Sequence, residues 1–307
     1  MDSRGAAYLA LSGLTIGGLG VASSLLSTAG FSAYSQTFWR FLITATVFVL
    51  VSAALYGKET IPRKKEFLIL AAAGGMMMVA SLTYIGAIAV GLPVPIVSFL
   101  SQLSTMFTVL LAVPLLHEGL TKTKAVVIVL GLGGVFLISH PWTAVGGNLA
   151  GELLVLLNAV TFACLTIFNS EFIKNRGYKP QLVSTWMFVG AALWSLPFLA
   201  FDVVQTPSGQ AAGVPQLIIL MAILLTLVPY SLMNLGLKTV GAGPASILLL
   251  LSPVTSTALS YLVLNEEVGV LSGIGSVLIV LSVVLLAFSG DRGKESAALP
   301  SSSHPAG

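Results

Sequence analysis

The chain has 307 residues, of which 56% are hydrophobic and only 8% charged, against roughly 25% charged residues in a soluble globular domain. A mean hydropathy of +0.99 cannot be concealed inside one soluble core, because a chain of this size keeps much of its surface against solvent; that solvent is largely lipid. The net charge of +3 and pI near 9.0 carry no meaning for nucleic acid until the basic residues are placed, and a single cysteine, Cys164, excludes a disulfide scaffold or a cysteine-ligated metal cluster.

A helix needs about 20 apolar residues to cross a bilayer. In chain order, the apolar stretches bounded by charge, proline or glycine are Gly5–Ser27, Tyr34–Leu55, Phe67–Ala89, Val94–Leu116, Lys122–Ser139, Ala150–Phe172, Gln181–Ala200, Pro215–Leu237, Pro244–Leu264 and Val268–Ser289. They predict an all-α integral membrane protein of ten transmembrane helices. The first stretch is longer than the apolar region of a signal peptide and follows only Arg4 beside Asp2, so it reads as a spanning helix. The segment 291–307, rich in Ser, Pro, Ala and charge, reads as a disordered cytoplasmic tail.

Short cytoplasmic loops carry an excess of Lys and Arg. With the N-terminus inside, the cytoplasmic segments hold Arg4, Lys58, Arg63, Lys64, Lys65, Lys122, Lys124, Lys174, Arg176, Lys179, Lys238, Arg292 and Lys294, thirteen of the fourteen basic residues. The fourteenth, Arg40, lies inside the second span. Moving the span count by one would scatter this pattern, so the positive charge is a topology signal and nucleic acid drops out as a partner. The expected location is the plasma membrane, the inner membrane of a bacterial cell, with both termini cytoplasmic.

The two halves repeat one another. Val90-Gly91-Leu-Pro93 before the fourth span answers Val240-Gly241-Ala-Gly243-Pro244 before the ninth, about 150 residues later, and Leu116-His117-Glu118 answers Leu264-Asn265-Glu266. Units 1–140 and 141–290 thus hold five crossings each, an odd number, so the second copy is inverted in the membrane. Two inverted five-helix repeats around a central cavity is the architecture of secondary transporters, with the substrate site between the halves. The paired interruptions Gly91, Pro93 and Pro95, and Gly241, Gly243 and Pro244, are the expected gating or hinge elements; simple turn chemistry accounts for them equally well.

Leu116-His117-Glu118, Phe38-Trp39-Arg40-Phe41-Leu42, Tyr84-Ile-Gly86-Ala87 leading to Pro93, and Pro253-Val254 through Leu264-Asn265-Glu266 together resemble the drug/metabolite transporter superfamily, EamA type, over 5–289. The resemblance implies ten helices as two inverted repeats and export of amino acids or other small metabolites. Glu118 and Glu266 resemble the family's helix-end glutamate. Departures are Gln102-Leu103-Ser104 where the second copy has Ser252-Pro253-Val254, and a seventh span without the arginine of the second.

An ionisable side chain within a span is costly and marks function by default. Arg40, with Gln36 and Trp39 on its face by helical spacing, either binds a substrate carboxylate or anchors structure. Carboxylates such as Glu118, Glu152, Glu171, Asp202, Glu266 and Glu267 fall at span ends, which favours a neutral or zwitterionic substrate over a cationic drug; a polyspecific efflux carrier is the alternative within transport. Ser98 and Gln102 in the fourth span, Asn158 in the sixth and Asn234 in the eighth are uncharged lining candidates, since a buried amide needs partners. Tyr84, Trp186 and Tyr230 are aromatic candidates for stacking on substrate, and packing is the competing role for each. The runs Gly13-xxx-Gly17 and Gly131-x-Gly133-Gly134 read as close helix contacts. No cofactor or metal site is expected, nor any catalytic arrangement of His, nucleophile or paired carboxylates. A channel is disfavoured by the lack of a charged ring or filter-like run. The expected partners are a small-molecule substrate and the lipid bilayer; a monomer suffices, and homo-oligomers are left open.

Overall fold

The computed structural model describes residues 2–92, 94–117, 121–139, 148–199, 213–264 and 270–298. Among these residues there is no strand, and the helical rods are α1 (Ser3–Thr28), α2 (Ala33–Thr60), α3 (Lys64–Ala89), α4 (Val94–Ser101 and Leu103–Leu116), α5 (Lys122–Ser139), α6 (Leu149–Asn175), α7 (Pro180–Leu199), α8 (Val214–Leu237), α9 (Ala242–Leu264) and α10 (Val270–Ala298). Their ends follow from local chemistry. Asp2, Ser32 and Asn148 side chains accept from backbone N–H groups three residues on, capping α1, α2 and α6. Gly57 takes positive φ where α2 passes into its final 3-10 turn, and Gly91 and Gly177 take it where the chain leaves α3 and α6.

Several rods are broken where the sequence demands it. α1 turns at Gly17-Gly18 between Ser3–Ile16 and Leu19–Thr28. In α8 a π-helical turn, Ile223–Leu227, precedes Pro229, which has no N–H for the carbonyl of Leu225. A 3-10 turn at Leu249–Leu251 precedes Pro253 in α9.

Eight rods are long and apolar enough to span a bilayer, and leucines and valines such as Leu50, Leu55, Val129 and Val277 lie exposed on the perimeter, where lipid is the compatible solvent. The two remaining rods are α5 and α10, which pack on one another. The ends of the neighbouring rods set the direction of α5. Lys179 on the α6–α7 turn pairs with Glu59 on the α2–α3 turn, and Tyr178 donates to Glu66. At the opposite end Asn148, entering α6, donates to the carbonyl of Val90, leaving α3. α4 finishes at the Glu59 end and α6 starts at the Val90 end, so α5 must run the length of the bundle between them. Its 18 residues rise about 27 Å, enough for the hydrocarbon core.

The packing obeys an exchange of halves. α1 packs on α8 and α3 on α6; α2 with α7, α4 with α9 and α5 with α10 form pairs that map onto themselves. Hydrogen bonds repeat the relation: Ser12 Oγ donates to Pro229 O across α1 and α8, and Asn158 Nδ2 to Ala80 O across α6 and α3, at 2.8 and 2.7 Å.

α10 continues to Ala298 through residues whose composition suggested disorder, since the first helix-breaking proline beyond the span is Pro300. Residues 299–307 lie outside the described residues, as do Pro93, Glu118, Asp202, Glu266 and Glu267.

Candidate functional site

A cavity with about 890 Å³ of empty space, its open mouth included, lies between the repeats. Its walls come from α1, α3, α4, α6, α8 and α9, and α2 reaches it through Arg40. Apolar side chains, Met77, Phe162, Met233 and Leu249 among them, share the wall with hydroxyls of Ser81, Ser98, Thr105, Ser246 and Ser256.

Among the described residues of that wall Arg40 is the one that is charged, and it is 1% exposed. Its Nη2 donates to Ser81 Oγ on α3, its Nη1 to Thr226 Oγ1 in the π-helical turn of α8 at 3.5 Å, and its Nε has no partner. The guanidinium carbon sits 4.6 Å from the centre of the Phe41 ring. Phe41 is set edge-on to Phe188, and Phe188 edge-on to Tyr230, so an aromatic cluster backs the cation on its protein side. Hydroxyls and a ring offset part of the cost of burying a guanidinium; without a carboxylate they leave a net positive wall. An uncompensated buried charge costs several kcal/mol, and a bound anion lowers that cost.

The expected site residues divide into two groups. Arg40, Tyr84, Ser98, Gln102, Asn158 and Tyr230 meet at the cavity. Gln36, Trp39, Trp186 and Asn234 are not among its lining residues. The Gln36 amide joins α1 to α2, accepting from Ser23 and donating to Ser27 Oγ and Phe31 O. Trp39 is 44% exposed on the perimeter, one residue round from Arg40. Trp186 donates to Thr60 O at 2.7 Å and stands edge-on to Phe67, pinning α7 to the α2–α3 turn. Asn234 is buried and donates to Ser184 Oγ on α7 at 2.7 Å.

Ser98 and Gln102 face α9: Ser98 Oγ lies 3.3 Å from Ser256 Oγ, and Gln102 Nε2 donates to Ser252 Oγ at 2.9 Å. The two junctions expected to hinge differ in conformation. Gly91 is left-handed at φ 92°, whereas Gly241 is the extended N-cap of α9 and Gly243 lies buried in its first turn.

The sequence profile of the EamA-like transporter family matches residues 3–140 and again 149–288. The chain belongs to that family. An uncharacterized transporter of Bacillus subtilis (strain 168), YyaM, is 25% identical over 272 residues, covering 83% of this chain and 84% of its own. An uncharacterized transporter of Archaeoglobus fulgidus is 27% identical over 191 residues, 62% of this chain and 67% of its own. A solved protein crystal structure superposes with a TM-score of 0.79 at 18% identity, covering 95% of this chain and 99% of that one, which establishes the shared fold. The family match and the apolar rods make this an integral membrane protein.

For this EamA-like chain, the residue that sequence reasoning missed is Ser81, which holds Arg40. Met77, Ser81 and Tyr84 all reach the cavity, and their i, i+4, i+7 spacing on α3 was a legible signal. Ser101 and Ser104 were also missed; they lie on either side of Gln102, the turn residue between the two segments of α4.

Proposed function

We propose that this EamA-like protein is a secondary transporter that exports small neutral or zwitterionic metabolites, amino acids first among them, by alternating access. The observation that carries the proposal is a guanidinium on a cavity wall whose described residues include no carboxylate, between two exchange-related repeats. Such a wall attracts a carboxylate and repels a cation, so it favours amino acids over the cationic drugs of a polyspecific efflux carrier. Access alternates if the repeats rock about the cavity, with the α3–α4 and α8–α9 junctions as the moving parts. By the positive-inside rule, the end carrying thirteen of the fourteen basic residues faces the cytoplasm of a bacterial inner membrane. No catalytic role is assigned.

Counterflow in liposomes tests the proposal. Purified protein loaded with unlabelled amino acid should take up the labelled compound faster than empty vesicles, and the rate should saturate. Flux that neither saturates nor responds to substrate on the far side would make the protein a channel.

A further inference from the structure

Ala80 and Ser81 are consecutive residues of α3, and each holds a polar side chain from another helix on the cavity wall. Ser81 Oγ accepts from Arg40 of α2, and Ala80 O accepts from Asn158 of α6 at 2.7 Å. The two bonds fix opposite chemistry. Arg40 presents a cation at the cavity wall, held by Ser81 and, at 3.5 Å, by Thr226, and such a guanidinium pairs with a carboxylate. Asn158 must turn its NH₂ toward Ala80 O, because an oxygen there would meet another acceptor; its Oδ1 is therefore directed away from Ala80, and no described hydrogen bond engages it. It is an acceptor on a residue 6% exposed, on a wall with no Asp or Glu among its described residues.

We propose that Arg40 and Asn158 form a clamp for the head group of an α-amino acid, the carboxylate on the guanidinium and the ammonium on Asn158 Oδ1. An α-amino acid carries those two groups on a single carbon, so their receptors must sit within a few ångströms of one another. Both receptors line the same cavity and are held by consecutive residues of α3. Tyr84 and Tyr230 line the same wall. With the head group held, the substrate side chain falls among Met77, Phe162 and Met233. The clamp rests on the transport reading above and specifies which atoms of the substrate are read.

The experiment is competition against tritiated leucine in proteoliposome counterflow, with leucine, its deaminated analogue 4-methylpentanoate, leucinamide and N-acetyl-leucine as competitors. In the wild type each analogue should compete at least about tenfold less well than leucine, since each removes one charge of the pair. Asn158→Leu should weaken leucine about tenfold and leave 4-methylpentanoate unchanged, collapsing the preference; Arg40→Gln should weaken leucine and 4-methylpentanoate together. Thermal unfolding in detergent confirms that each variant is folded. If Asn158→Leu does not fold, the wild-type ladder of analogues decides alone. Wild-type competition by 4-methylpentanoate equal to that of leucine would overturn the clamp and leave a plain carboxylate site. No counterflow of leucine by folded wild type, nor of alanine or phenylalanine as labelled probes, would overturn the clamp together with the amino-acid reading.

Discussion

His117 ends α4 at φ 53°, the one non-glycine residue among those described in the left-handed region. Its N–H returns to the carbonyl of Ala112, closing the helix. An L side chain at that position costs about 1 kcal/mol that glycine does not. His117→Gly should therefore raise the apparent Tm by a few degrees in a detergent melt, with transport unchanged because the residue lies outside the cavity. Trp186 calls for the opposite test. Its indole N–H satisfies the buried carbonyl of Thr60, so Trp186→Phe should cost about 1 kcal/mol of stability while the order of competing substrates stays the same; a changed order would return Trp186 to the site. Arg40 was legible in the sequence because a charge in a span has few roles. Trp186 and Gln36 were not, because an aromatic or an amide at span depth pairs equally well with a backbone carbonyl or with a substrate, and the choice depends on which neighbouring helix supplies the partner.

Several close helix contacts in this protein are built on glycine. A Cβ on Gly17 would stand 2.4 Å from Ser252 O and one on Gly74 2.4 Å from Met187 O, so α1 meets α9 and α3 meets α7 backbone to backbone. In α5 the contrast falls between neighbours. A Cβ on Gly134 would lie 2.6 Å from Gly275 O of α10, whereas one on Gly133 would meet nothing within 4 Å. Gly134→Ala should lower the melting temperature by forcing α5 and α10 apart, and Gly133→Ala should hold or raise it, since alanine is favoured over glycine within a helix by up to about 1 kcal/mol. Equal effects from the pair would contradict the α5–α10 crossing. The sequence displayed the small-residue runs but could not separate Gly133 from Gly134, because a rotation of one residue about the helix axis decides which of them faces the partner. The π-helical turn before Pro229 follows from a missing N–H, but in the sequence Pro215–Leu237 reads as one unbroken span; Thr44 and Arg40 both bond to this turn or its approach.

At the scale of the molecule, the exchange of halves depends on both repeats having five crossings, and this is where the charge pattern and the packing meet. The ion pair between Lys179 and Glu59 and the bond from Tyr178 to Glu66 place the α6–α7 and α2–α3 turns at one end, and the contact of Asp2 with Thr239 brings the start of α1 and the α8–α9 turn to the same end. That is the end where the basic residues gather, so the charge asymmetry and the helix directions agree without reference to one another. A bundle in which α5 failed to cross would keep the first turns in place but send Lys174, Arg176 and Lys179 to the opposite side, away from Glu59. Accessibility labelling reads the difference directly. In a background with Cys164→Ser, the chain's sole cysteine removed, single cysteines at Lys64 and Lys179 should react with a membrane-impermeant maleimide from the cytoplasmic face of inverted vesicles and stay protected in intact cells. A cysteine at Thr28, exposed at the other end of α1, should show the reverse. Labelling of the Lys64 and Lys179 positions from opposite faces would break the second repeat's inversion, and with it the geometric basis of the alternating access proposed above.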